Sequence, residues 1–212
     1  MNKKYLIIGI VAVLLIVGIV IACVSCGGGS GFGNNPSHNH GDEIEGGITP
    51  SKKLNDDPTV LVPDAIKNTK DKLGEHYFPN TKMTEDEILT LFGLTKDDCT
   101  FVMGEKCDDT NRYDMVIALR AAAGKEEKIH DAVYNYVCTQ IENESLPERV
   151  RMAYSGCMTL YNPDGYVFLL ATFGDLDKLD MQMITETVEQ RGLEAFNIVA
   201  AEISKYYIDV VE

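Results

Sequence analysis

The residue with the clearest chemical assignment is Cys23, because of what precedes it. Lys3 and Lys4 lead into an apolar run from Tyr5 to Ala22, and the thiol follows at once. Two cations, an apolar segment and a small-residue cleavage region make an export signal. Val20-Ile21-Ala22-Cys23 reads as a lipobox, in which a small residue before the cysteine admits a peptidase after the thiol has been diacylated. Cys23 is then the lipid attachment site and the new N-terminus. The rival expectation is an uncleaved single-pass anchor, since about 20 apolar residues span a bilayer. Either way Lys3 and Lys4 stay on the cytoplasmic side and residues 27–212 face outside.

Other residue types invite chemistry less specifically. Cys23-Val24-Ser25-Cys26 has dithiol spacing, but a redox pair needs a helix N-terminus behind it, and a glycine run follows instead. His38 and His40 with Asp42, Glu43 and Glu45 offer imidazole and carboxylate to a divalent ion, without a scaffold to fix them. Asp175, Asp177 and Asp180 lack the glycine and final glutamate of a calcium loop. His76 and His130 stand alone, which fits surface or packing roles. Cys99, Cys107, Cys138 and Cys157 form disulfides in one of three pairings or stay as thiols. Cys138 falls opposite its helix's apolar stripe, and a Cys99–Cys107 pair requires the chain to fold back near Gly104. No Gly-x-Ser-x-Gly, His-Glu-x-x-His or phosphate-loop lysine occurs, which weighs against hydrolase and nucleotide readings. Two carboxylates meeting in space for glycoside chemistry leave no mark in sequence. No cofactor or metal site is expected.

Composition narrows the partners. The 212 residues hold 19 basic and 33 acidic side chains. Losing Lys3 and Lys4 with the anchor leaves 17 basic against 33 acidic, a net charge of −16. That balance excludes nucleic acid, whose binding depends on Lys and Arg neutralising phosphates. It also repels anionic lipid, so the attachment to the membrane is hydrophobic.

The chain divides into an anchor with its lipobox (1–26), a flexible Gly-rich acidic linker (27–58), an α+β domain (59–174) and a C-terminal amphipathic helical extension (175–212). The linker has hardly an apolar side chain, so it cannot order itself by burial; as a coil it averages roughly 30 Å end to end. Val62, Ile66, Thr69 and Leu73 predict a first helix, with Pro63 in its first turn and Gly74 ending it. Thr84-Glu85-Asp86-Glu87 is a capping box flanked by Met83 and Ile88 at the staple positions, opening a second helix closed by Gly93.

Cys99 to Lys106 and Tyr113 to Ala122 read as strands. The second is apolar on both faces, the mark of a central strand. Lys125 to Asn143 is a helix with Ile129, Val133, Val137 and Ile141 inward. Met152 to Tyr161 and Tyr166 to Phe173 read as strands joined by the turn Asn162-Pro163-Asp164-Gly165. The expected fold is α+β: an antiparallel sheet of about four strands with helices packed on one side, in the order ααββαββ, plus a C-terminal helix broken near Gly192. The stripe of that helix, from Leu193 through Phe196, Val199 and Ile203 to Val210, must be covered by the domain itself or by self-association through residues 193–210.

From about Val60 to Gly174 the chain resembles an uncharacterised family of secreted lipoproteins of clostridia-like Gram-positive bacteria, the domain of unknown function 4358 family. Ile66 to Tyr77 looks like its opening amphipathic helix, Pro79-Asn80 its short break, and Met83 to Leu94, ending Leu91-Phe92-Gly93-Leu94, its second helix. Tyr113 to Gly124, with Gly124-Lys125-Glu126-Glu127 entering the next helix, looks like its central strand and crossover, and Asp164-Gly165-Tyr166-Val167-Phe168 like its closing hairpin. The resemblance covers about half the chain and implies an N-terminal lipobox. It implies no activity, and the cysteines and the segment after Gly174 depart from it. The expectation is a lipid-anchored protein on the outer face of the cell membrane whose folded part binds an unknown protein or envelope ligand. An enzyme acting on envelope polymers and an oligomeric spacer are the alternatives.

Overall fold

The computed structural model describes residues 20–22, 52–54, 57–162 and 164–209. Cys23, Pro163, Val210 and, in the linker, His38, His40, Asp42, Glu43 and Glu45 lie outside the described residues. The order is β1 (Val20–Ala22), β2 (Lys52–Leu54), α1 (Pro58–Leu73), β3 (Thr81–Lys82), α2 (Glu85–Phe92), β4 (Cys99–Lys106), β5 (Met115–Ala121), α3 (Glu126–Glu142), α4 (Glu148–Ser155), β6 (Met158–Tyr161), β7 (Tyr166–Ala171), α5 (Ile184–Ser204) and β8 (Tyr207–Asp209). The fold class is α+β with an antiparallel sheet, as expected. Strands run in the order β6-β7-β5-β4-β3, and the backbone of β1 lies along the outer edge of β6. No described helix is long and apolar enough to cross a membrane.

Local chemistry explains most of the elements. Asp57 caps α1, accepting from the Thr59 amide at 2.9 Å, and Pro58 rather than Pro63 occupies the first turn, where a missing N–H costs nothing. The capping box of α2 is complete. The Thr84 amide donates to Glu87 Oε2 at 2.7 Å, and the Glu87 amide donates to Thr84 Oγ1 at 3.2 Å. Gly93 ends the helix at φ 65°, a left-handed conformation that glycine adopts without a Cβ penalty. In the β6–β7 hairpin Gly165 sits at φ 87° and donates to the Asn162 carbonyl.

Strands β5 and β7 are buried on both faces, and each face has its own core. Ile117, Leu119, Val167 and Leu169 pack with α2, α3 and α4. Val116, Ala118, Tyr166, Phe168 and Leu170 pack with α1 and the C-terminal half of α5. Helices therefore cover both sides of the sheet, where the sequence led to one. The reason is the composition of β5 and β7: side chains alternate across a strand, and two apolar faces require two covers.

Three further expectations are corrected. Residues 148–155 are helix, so Met152–Ser155 do not begin a strand. The apolar alternation in Met152–Tyr161 belongs only to Met158–Tyr161, while Val150, Ala153 and Tyr154 follow helical spacing into the first core. Gly192 does not break α5, which is continuous over Ile184–Ser204. The N-terminal half of that helix, through Ile184 and Val188, joins the first core, and the half beyond Gly192 joins the second. At Gly192 a Cβ would stand 2.7 Å from Met158 Cγ, so the glycine is there for close approach. Lys52–Leu54, assigned to the linker, pairs antiparallel with Tyr207–Asp209.

Candidate functional site

Titratable groups converge at the end of the sheet where β5 begins and β7 finishes. A cleft of about 390 Å³ lies there, bounded by the β4–β5 connection, the start of α4 and the loop that carries the chain from β7 to α5. Asp114, one residue ahead of β5, is only 2% exposed. Its Oδ1 accepts from the Gly174 amide at 2.8 Å. Burial pushes its carboxyl up to about 6, against the pull of the Gly174 N–H and the Arg112 guanidinium.

Three arginines, Arg112 and Arg149 in the cleft lining and Arg191 outside it, hold the segment after β7 by its carbonyls. Arg112 Nη1 donates to Gly174 O at 3.3 Å. Arg149, in the first turn of α4, donates from Nη1 to Leu176 O at 2.6 Å and Leu179 O at 2.8 Å. Arg191 of α5 donates to Phe173 O. Gly174 adopts φ 73°, and a Cβ there would collide with the Arg191 guanidinium. A guanidinium is a flat fork of donors that stays charged, so each arginine satisfies carbonyls that a loop would otherwise leave to water.

The remaining charges are shared. Arg112 lies 4.0 Å from the centre of the Phe78 ring and 3.7 Å from both Asp109 Oδ2 and Asp175 Oδ2. Asp175 also accepts Lys178 at 3.0 Å, and this contact is the main reason its carboxyl lies below the usual range. The site thus sets a buried carboxyl that holds its proton up to mildly acidic pH beside Asp175, whose carboxyl lies below the usual range. A larger and more open depression of about 710 Å³ runs between α2 and α3 past Phe92, Lys128, Asp131 and Tyr136.

Of the residues singled out by sequence, only Asp175 and Asp177 enter this cleft. They line it as members of a short turn over Leu176–Lys178, and no metal-holding group of three or more His, Cys, Asp or Glu occurs among the described residues. No disulfide joins Cys99, Cys107, Cys138 or Cys157. Cys99 and Cys107 bracket the extended strand β4, about 26 Å apart at strand rise, and Gly104 lies within the strand rather than at a fold-back. The Cys99 thiol is pushed up to about 11, by burial first and Asp98 second, away from the thiolate a nucleophile needs. Cys157 is 1% exposed in the first core. His130 stands 5.6 Å from the Tyr161 ring and 3.4 Å from Asp131 Oδ1, a packing role. The lipobox residues Val20, Ile21 and Ala22 are not in the cleft lining and run along β6 at the opposite edge from β3.

The residues that build this site, Arg112, Asp114, Arg149, Gly174 and Arg191, escaped sequence reading because 79 positions separate Arg112 from Arg191. Their one legible signal is the pair of strand ends at Asp114 and Gly174. No family model matches this chain, and neither a curated protein nor a solved structure matches it.

Proposed function

We propose that this chain is an extracytoplasmic module, held on the outer face of the cell membrane by a lipid on Cys23, that works by binding a protein or envelope ligand. The observation that carries the reading is the order of residues at the front: two lysines, an apolar run, a small residue, the cysteine, then a glycine-rich acidic stretch. The likeness to the domain of unknown function 4358 lipoproteins points the same way. A binding role is supported by the cleft, whose lining arginines, Arg112 and Arg149, donate to loop carbonyls and so fix the shape of its walls. The apolar stripe of α5 supports it against a spacer, because Phe196, Val199 and Ile203 are buried in the domain's own core and Leu193 is the stripe's exposed member. The test is Cys23→Ala. It is expected to abolish labelling by a palmitate analogue and to block signal processing, and unchanged labelling would remove the lipid anchor.

A second reading, an enzyme acting on envelope polymers, is favoured by one observation. Asp114 is raised and Asp175 lowered within one cleft, and environments that drive two carboxyls apart are how an acid and a base are made from the same side chain. Its test is release of soluble fragments from cell-wall polymer by the purified protein. Fragments lost in Asp114→Asn support catalysis, and no release by the wild type argues against it.

A further inference from the structure

The two edges of the sheet are built differently. At one edge β3 is two residues long, pairing Thr81 with Lys106 and Lys82 with Glu105 of β4, and β4 itself carries an irregularity between Cys99 and Phe101. Short length and lysines are the usual means of keeping an edge from recruiting another chain. At the other edge β6 reads Met158-Thr159-Leu160-Tyr161, with no charge, no proline and no bulge in its pairing with β7. That edge is occupied by β1, antiparallel, with Val20 opposite Leu160, Ile21 opposite Thr159 and Ala22 opposite Met158.

Val20–Ala22 are also the last three residues before Cys23. In the reading proposed above, on which this inference rests, they are either cut away with the signal segment or held at the bilayer. In both cases they leave β6. The residues that follow, Cys23 to Gly31, are rich in glycine and poor in strand formers, so the chain has no comparable local substitute.

We propose that the β6 edge of the mature protein is a docking surface for an extended, uncharged segment of a partner polypeptide, rich in β-branched and small apolar residues, that adds to the sheet as an antiparallel sixth strand. The occupant's chemistry follows from what sits there: Val-Ile-Ala. Strand addition draws affinity from backbone hydrogen bonds and specificity from alternate side chains, which suits the uncharged, regular edge of β6.

The full chain, purified from membranes in detergent, is tested by intact mass and by hydrogen exchange of the segment Met158–Tyr161. The probe is a peptide with the sequence of residues 18–22, Gly-Ile-Val-Ile-Ala, flanked by lysines for solubility. Addition of the peptide is expected to slow exchange in 158–160 at least tenfold, and a peptide with proline in place of the central valine is expected to have no effect. Slowing by the first peptide alone supports the proposal whether the mass reports a cleaved or a retained front segment. A cleaved protein whose exchange ignores the peptide overturns the edge proposal and leaves the lipid anchor standing. Protection without peptide overturns it too: a retained segment would show β1 still on the edge and the anchor reading wrong, and a concentration-dependent effect would show a second copy there.

Discussion

At the scale of single residues, Asp114 is the group on which solution pH acts most directly. Its folded carboxyl titrates near 6, above the value of about 4 for an unfolded aspartate. A raised value means that the folded state binds the proton more tightly. The contribution is therefore complete below about pH 4 and is lost as pH rises through 6. Asp114→Asn keeps an oxygen for the Gly174 amide and removes the buried charge. Urea unfolding is expected to show this variant more stable than the wild type at pH 8, by up to about 3 kcal/mol for two pKa units. The difference should shrink towards pH 4, and a variant less stable at pH 8 would mean that the ionised form is the one the cleft needs. Asp98 has the opposite sign. Lys128 at 2.7 Å first, then the Thr95 amide, hold its carboxyl near 2, so its contribution is present at neutral pH and disappears only in strong acid.

At the scale of elements, α5 shows how packing overrides propensity. A glycine inside a helix costs roughly 1 kcal/mol relative to alanine, so Gly192→Ala in an isolated helix would stabilise it. Here the added methyl meets Met158 Cγ and Cβ at 2.7 and 3.2 Å, and overpacking of this kind costs about 1–3 kcal/mol. The variant is expected to lower the melting temperature, and Met158→Ala in the same chain is expected to recover part of the loss. A Gly192→Ala protein as stable as the wild type would mean that the helix can shift outward. The neighbouring contact behaves the same way: at Gly156 a Cβ would stand 2.9 Å from the Glu189 amide nitrogen. Two glycines on facing elements therefore bring α5 against the turn before β6.

At the scale of the whole molecule, the C-terminal segment is a structural part of the domain and not an appendage to it. Phe196, Ile198, Val199 and Ile203 fill the second core beneath Phe168 and Leu170. Beyond them the end of the chain is pinned twice by side chains. Tyr206 donates to Asp64 Oδ2 at 2.8 Å, and the Tyr207 hydroxyl donates to Asp164 in the β6–β7 turn. Removing residues 182–212 is expected to lower the melting temperature sharply, because the second core would keep only α1 as its cover. A truncated protein with an unshifted melting temperature that no longer self-associates would instead make α5 an oligomerisation element.

How much of this was legible follows the range of the forces involved. The capping box at Thr84, the left-handed Gly93, the central character of β5 and the Gly165 turn are set by residues within a few positions of one another, so the sequence determined them alone. Helix α4 was misread because eight residues with three buried positions carry too few periods to separate 3.6 from 2. The second covering layer, the place of Gly192 and the cleft of Arg112, Asp114 and Arg149 were decided only by tertiary structure. Each depends on which distant segments meet, and a buried carboxyl or a clamping guanidinium acquires its role from neighbours that the chain brings together only on folding.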